Sequence, residues 1–125
     1  MNTIKMTIEI SDEMIENLLC SAFEGGSNYW TNWVNIADKK DAKKVGGYLS
    51  EYLTTTKLKD AKLIVCTDND EIEITKKSII DALQKMDNPK YKHTKALKEI
   101  IAETYDAGHA DCVLQMACFG EVIYG

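Results

Sequence analysis

ADCVLQMACFGEVIYG, residues 110–125, is the stretch around which the rest of the chain must fold. Its nine positions 112–120 carry no charge, which is the mark of a buried helix. Asp111 and Gln115 stand four apart and share one face of such a helix, a single polar stripe on an apolar rod. Gly120 supplies a left-handed stop, and Val122, Ile123 and Tyr124 suit a short terminal strand. A terminus this apolar is docked rather than frayed, on the body of the protein or on a partner subunit.

Working outward, residues 3–10 alternate Ile4, Met6, Ile8 and Ile10 with Thr3, Lys5, Thr7 and Glu9, the period of a half-buried strand. Ser11 follows as an N-cap, with Asp12 and Glu13 suited to the positive end of a helix dipole. Met14, Ile15, Leu18, Leu19, Ala22 and Phe23 then recur at helical spacing until Gly25 and Gly26. Residues 27–41 mix rings and amides without a period. Residues 41–53 predict a helix weakened in its middle by Gly46 and Gly47. Residues 62–67 and 71–75 flank the acidic turn Asp68, Asn69 and Asp70 as a hairpin. Thr75 caps a helix that ends at Asn88 and Pro89; Thr94 caps another that Gly108 closes. Strands and helices do not alternate strictly, so the expected fold is α+β. It is one compact domain over residues 1–125, a small, mostly antiparallel sheet packed with four to five helices.

Composition narrows the function. A chain of 125 residues forms one core, and its apolar fraction of 45% with a single proline describes a globular protein. The net charge of −5 and the absence of arginine argue against general nucleic-acid binding, which needs clustered cations on phosphate. No window approaches a membrane span, and the beginning Met-Asn-Thr-Ile-Lys lacks the apolar region of a signal peptide. Four cysteines, each in an apolar run, are expected as reduced core residues, which points to the cytoplasm.

Neither catalysis nor metal binding is expected. His109 and Cys112 share a helix face, but Cys118 falls on another, so one coordination sphere cannot close. The turn at Asp68 lacks the glycine of a calcium loop, and there is no nucleophile elbow or phosphate loop. No cofactor is expected.

Binding is the better-supported chemistry. Tyr29, Trp30 and Trp33 follow two glycines and interleave with Asn28 and Asn32, which brings stacking faces, amides and close-approach backbone N–H groups into one stretch. Either the tryptophans face a planar ligand, or they plug the core or a subunit interface. Asp111 and Gln115 are likewise either a pocket floor or a buried pair that holds the loop after Gly26.

Two blocks, AFEGGSNYW (residues 22–30) and residues 110–125, together resemble a family of small proteins encoded by phages and prophages. In that family a helix ending in Phe-Glu-Gly-Gly with Asn-Tyr-Trp accompanies a C-terminal Ala-Asp helix running through Gln into Phe-Gly-Glu. The two blocks cover about a fifth of the chain. The resemblance implies a counter-defence protein in the host-cell cytoplasm. The leading expectation is sequestration of a nucleotide-like ligand, without chemistry, by a homo-oligomer. Glu24, Gly25, Gly26, Asn28, Tyr29, Trp30, Trp33, Asp111 and Gln115 would form the site, with Glu24 accepting from ribose or base, the rings stacking and the glycine N–H groups meeting phosphate. The alternative is an inhibitor of a host nuclease or CRISPR complex that covers a basic groove with its acidic face. An enzyme that degrades the ligand would be a third class. A concavity around the tryptophans favours the first; a flat acidic surface favours the second.

Overall fold

The computed structural model describes residues 2–125. The chain begins as an arm without regular secondary structure, residues 2–10, and enters helix α1 (Asp12–Ser21), whose cap is Ser11, its Oγ accepting from the Met14 N–H at 3.1 Å. Ile15, Leu18 and Leu19 bury the inner stripe of α1. The helix then widens into a π-turn, Ala22–Gly26, in which the Ser27 N–H reaches back five residues to Ala22 O at 2.9 Å.

A three-stranded antiparallel sheet follows from β1 (Trp33–Ile36), β2 (Leu63–Cys66) and β3 (Glu71–Ile74), in that spatial order. The expected hairpin is β2–β3, with Leu63 opposite Ile74 and Cys66 opposite Glu71. β1 adds to the other side of β2, Trp33 opposite Cys66 and Ile36 opposite Leu63. One face carries Val34, Ile36, Leu63, Val65, Ile72 and Ile74 toward the core; Trp33, Asn35, Ile64, Cys66, Glu71 and Glu73 share the other.

Between β1 and β2, the expected single helix is two. α2 (Lys39–Val45) is capped by Asp38 and ends where Gly46 and Gly47 take φ of 67° and 83°, before α3 (Leu49–Tyr52). The glycines therefore turn the chain rather than merely weaken a helix. α4 (Lys76–Met86) begins at a capping box of Thr75 and Ser78, as its sequence predicts in outline, and a 3₁₀ turn, Pro89–Tyr91, leads on. α5 (Thr94–Ile101) starts one residue earlier than expected: Thr94 is its first residue and not its cap, and His93 holds the cap position without a side-chain hydrogen bond.

Gly108 does not close α5. It lies in the first turn of α6 (Ala107–Phe119), because Asp106 caps that helix: its Oδ1 accepts from the His109 N–H at 3.0 Å while His109 Nδ1 accepts from the Asp106 N–H at 3.2 Å. α6 ends at Gly120, φ 75°. It is the central rod, packed against α1, α4, α5 and β3 with Ala110, Val113, Leu114 and Met116 buried. The apolar terminus is thus docked within its own chain.

The described residues form a single compact α+β fold with six α-helices, two more than the smaller expected number, and no helix is long and apolar enough to cross a membrane. Two strand expectations fail. The arm pairs with no strand and leaves Ile4 83% and Met6 74% exposed. Residues 122–124 form no strand because the N–H groups of Ile123 and Tyr124 go instead to a side chain, that of Gln115.

Candidate functional site

The first turns of α6 meet the loop that leaves the π-turn. A side chain on Gly26 would collide with the Ala107 carbonyl oxygen, so glycine at this position allows the contact. Gly25, by contrast, faces open space. The close approach brings residues 27–30 over the polar stripe of α6.

Asp111 is the hub. Its Oδ1 accepts from Ser27 Oγ at 2.8 Å and from the indole N–H of Trp30 at 2.6 Å; its Oδ2 accepts from Tyr29 OH at 2.6 Å and Gln115 Nε2 at 2.9 Å. Four donors around one buried carboxylate offset the loss of its hydration. Gln115, fully buried, turns its other end to the C-terminal tail, Oε1 accepting from Ile123 N–H at 2.9 Å and Tyr124 N–H at 2.8 Å. Its Nε2 also approaches Tyr29 OH at 3.1 Å and Tyr124 O at 3.2 Å. Among the described residues, no buried side-chain nitrogen or oxygen lacks a partner. Burial of its hydroxyl, then the neighbouring Asp111 carboxylate, pushes the Tyr29 phenol up to about 12.

Tyr124 closes the cluster. Its ring stacks on Trp30 with centroids 5.4 Å apart and planes at 8°, and Phe119 contacts both at 5.4 Å and 5.9 Å. Trp30 is only 6% exposed.

The expected site residues therefore divide. Tyr29, Trp30, Asp111 and Gln115 do converge, as the polar stripe suggested, but their hydrogen bonds go to one another, to Ser27 and to the tail. Gly26 serves close packing. Glu24 lines a separate open cavity of about 410 Å³ with Glu13, Glu16 and Glu51. Asn28 is exposed, with its N–H on Gly25 O at 3.3 Å. Trp33 is 56% exposed on the outer face of the sheet, apart from the hub. Ser27 and Tyr124 were missed by sequence reasoning. The available signal for Ser27 was its place beside Tyr29 and Trp30, three donors within four residues opposite one buried carboxylate.

The outer sheet face has a different character. Trp33, opposite Cys66, shares its cross-strand row with Glu71, and the exposed Asp68 and Asp70 form the adjoining turn. Asn32 Nδ2 donates to Asp68 Oδ1 at 3.0 Å and ties that turn to the start of β1. Among the described residues, only Lys62, on Glu73 at 3.3 Å, brings a cation to this face in an ion pair.

All four cysteines are free. Burial pushes the Cys118 thiol up to about 12; burial, then the Asp111 charge, raises Cys112 to about 11, so neither is an activated nucleophile. Among the described residues, no three His, Cys, Asp or Glu side chains converge as a metal site. No family model, curated protein or solved structure matches the chain.

Proposed function

We propose that this chain is a non-catalytic inhibitor that binds a basic surface of a macromolecular target, a defence nuclease or CRISPR complex in the setting its sequence resemblance implies. The observation that carries the reading is Trp33, a large ring 56% exposed on an open sheet face rimmed by Asp68, Asp70, Glu71 and Glu73. An exposed ring anchors an interface by burying apolar area, and carboxylates around it complement lysines and arginines of a nucleic-acid groove. With no arginine and a charge of −5, the chain is suited to compete for such a groove.

The test is DNA cleavage by a panel of purified RNA-guided and defence nucleases, titrated with the protein. Stoichiometric inhibition of one member is expected, weakened at least tenfold by Trp33→Ala and by the pair Asp70→Lys and Glu71→Lys. Inhibition that survives both changes would move the contact elsewhere, and a panel without inhibition would count against the target class.

Sequestration of a nucleotide-like ligand is the second reading, favoured by the Tyr124–Trp30 stack. Tyr124 occupies the stacking position a base would take, so a ligand must displace the tail. Thermal shifts with cyclic and linear nucleotides, compared between the wild type and Tyr124→Ala, test this: a shift enlarged by the substitution supports it, and none in either protein removes it.

A further inference from the structure

The arm, residues 2–10, has the sequence of a strand and no strand beside it. Ile4, Met6 and Ile8 are 83%, 74% and 49% exposed, on a segment whose apolar residues all fall on one side when it is extended. Its root is fixed, since Ser11 caps α1 and Asp12 Oδ1 meets Lys76 Nζ of α4 at 2.6 Å. Along its course Met6, Ile8 and Ile10 overhang Ile80, Leu83 and Ile101 of α4 and α5, leaving an open cavity of about 400 Å³ between arm and helices.

We propose that the arm is a dimerisation strand that pairs antiparallel with the arm of a second copy, Thr7 lying on the twofold axis. The charges select this occupant and this register. With Thr7 opposite the partner's Thr7, Lys5 faces the partner's Glu9 and Glu9 faces the partner's Lys5, while Ile4 meets the partner's Ile10 and Met6 meets the partner's Ile8. Moving the axis to residue 5 sets lysine on lysine, and moving it to residue 9 sets glutamate on glutamate. Axes at residues 6 and 8 leave the charges opposite neutral side chains. Pairing satisfies the arms' open backbone groups, and the two-stranded ribbon turns its apolar face onto the α4–α5 grooves. The contact is isologous, as a twofold requires.

Sedimentation equilibrium tests the pairing by charge exchange. The wild type is expected to dimerise in the micromolar range. Lys5→Glu alone and Glu9→Lys alone each place like charges opposite one another twice, and each should weaken the dimer about tenfold. Mixing the two single variants in equal amounts, or combining both changes in one chain, restores opposite charges at every pair and should restore dimerisation. Unchanged thermal unfolding of the variants at low concentration separates this from misfolding. A wild type that stays monomeric at high concentration, or single variants that dimerise like the wild type, would overturn the proposal.

Discussion

The indole N–H of Trp30 donates to Oδ1 of Asp111 at 2.6 Å, across 81 positions of sequence. That bond turns an aromatic loop residue into a core residue, because the same carboxylate also accepts from Ser27, Tyr29 and Gln115. A charge buried with four donors stabilises only while all are present.

Replacing the hub therefore costs more than one hydrogen bond. Asp111→Ala leaves the buried donors of Ser27 and Trp30 without an acceptor, and is expected to destabilise the fold by about 3 kcal/mol. A urea midpoint lowered at unchanged slope checks it.

Gln115 holds the tail. Gln115→Met fills the same volume but accepts nothing from Ile123 and Tyr124, so amide exchange at those two positions should accelerate while that in β2 changes little. Equal acceleration throughout would mean that the tail is no separate unit.

The adjacent glycines should respond oppositely. Gly26→Ala forces a carbon onto the Ala107 carbonyl and should destabilise by about 2 kcal/mol. Gly25→Ala meets no atom and should be neutral or stabilise by about 0.5 kcal/mol through the unfolded chain.

The Tyr29 phenol is raised to about 12 from 10.0, chiefly by burial of its hydroxyl and then by Asp111. The folded state thus holds this proton more tightly than the unfolded state. Its stabilising contribution is complete below pH 10 and is lost as pH rises through 12. Burial also raises Tyr52 and Tyr105, so absorbance titration of the phenolates should show a late-ionising group of tyrosines that loses one member in Tyr29→Phe, and that variant should have a flatter stability profile between these pH values.

Legibility in the sequence followed pattern length and the nearness of partners. α1, the β2–β3 hairpin and α4 each combine a clear apolar period with a cap or turn, so local chemistry and tertiary packing agree. β1 does alternate, with Trp33 and Asn35 outward and Val34 and Ile36 inward, but four residues inside a stretch of rings and amides carry too short a period to recognise. The arm shows the reverse error: its alternation is clean, yet period alone does not supply a neighbouring strand. At the site, Asp111 and Gln115 were readable as partners of the loop after Gly26 because a polar pair on an apolar helix must be satisfied somewhere. Tyr124 was not, since a β-prone tripeptide after Gly120 suggests a ladder, whereas here its N–H groups end on a buried glutamine.

The chain has two tryptophans, which the structure assigns to opposite roles, Trp30 buried on Asp111 and Trp33 free on the sheet face. Hydrogen exchange of the two indole N–H groups, followed by NMR, tests this most directly. One indole should exchange only with global unfolding and the other within the first spectrum, the protected signal vanishing in Trp30→Phe. Two indoles exchanging equally fast would contradict the account.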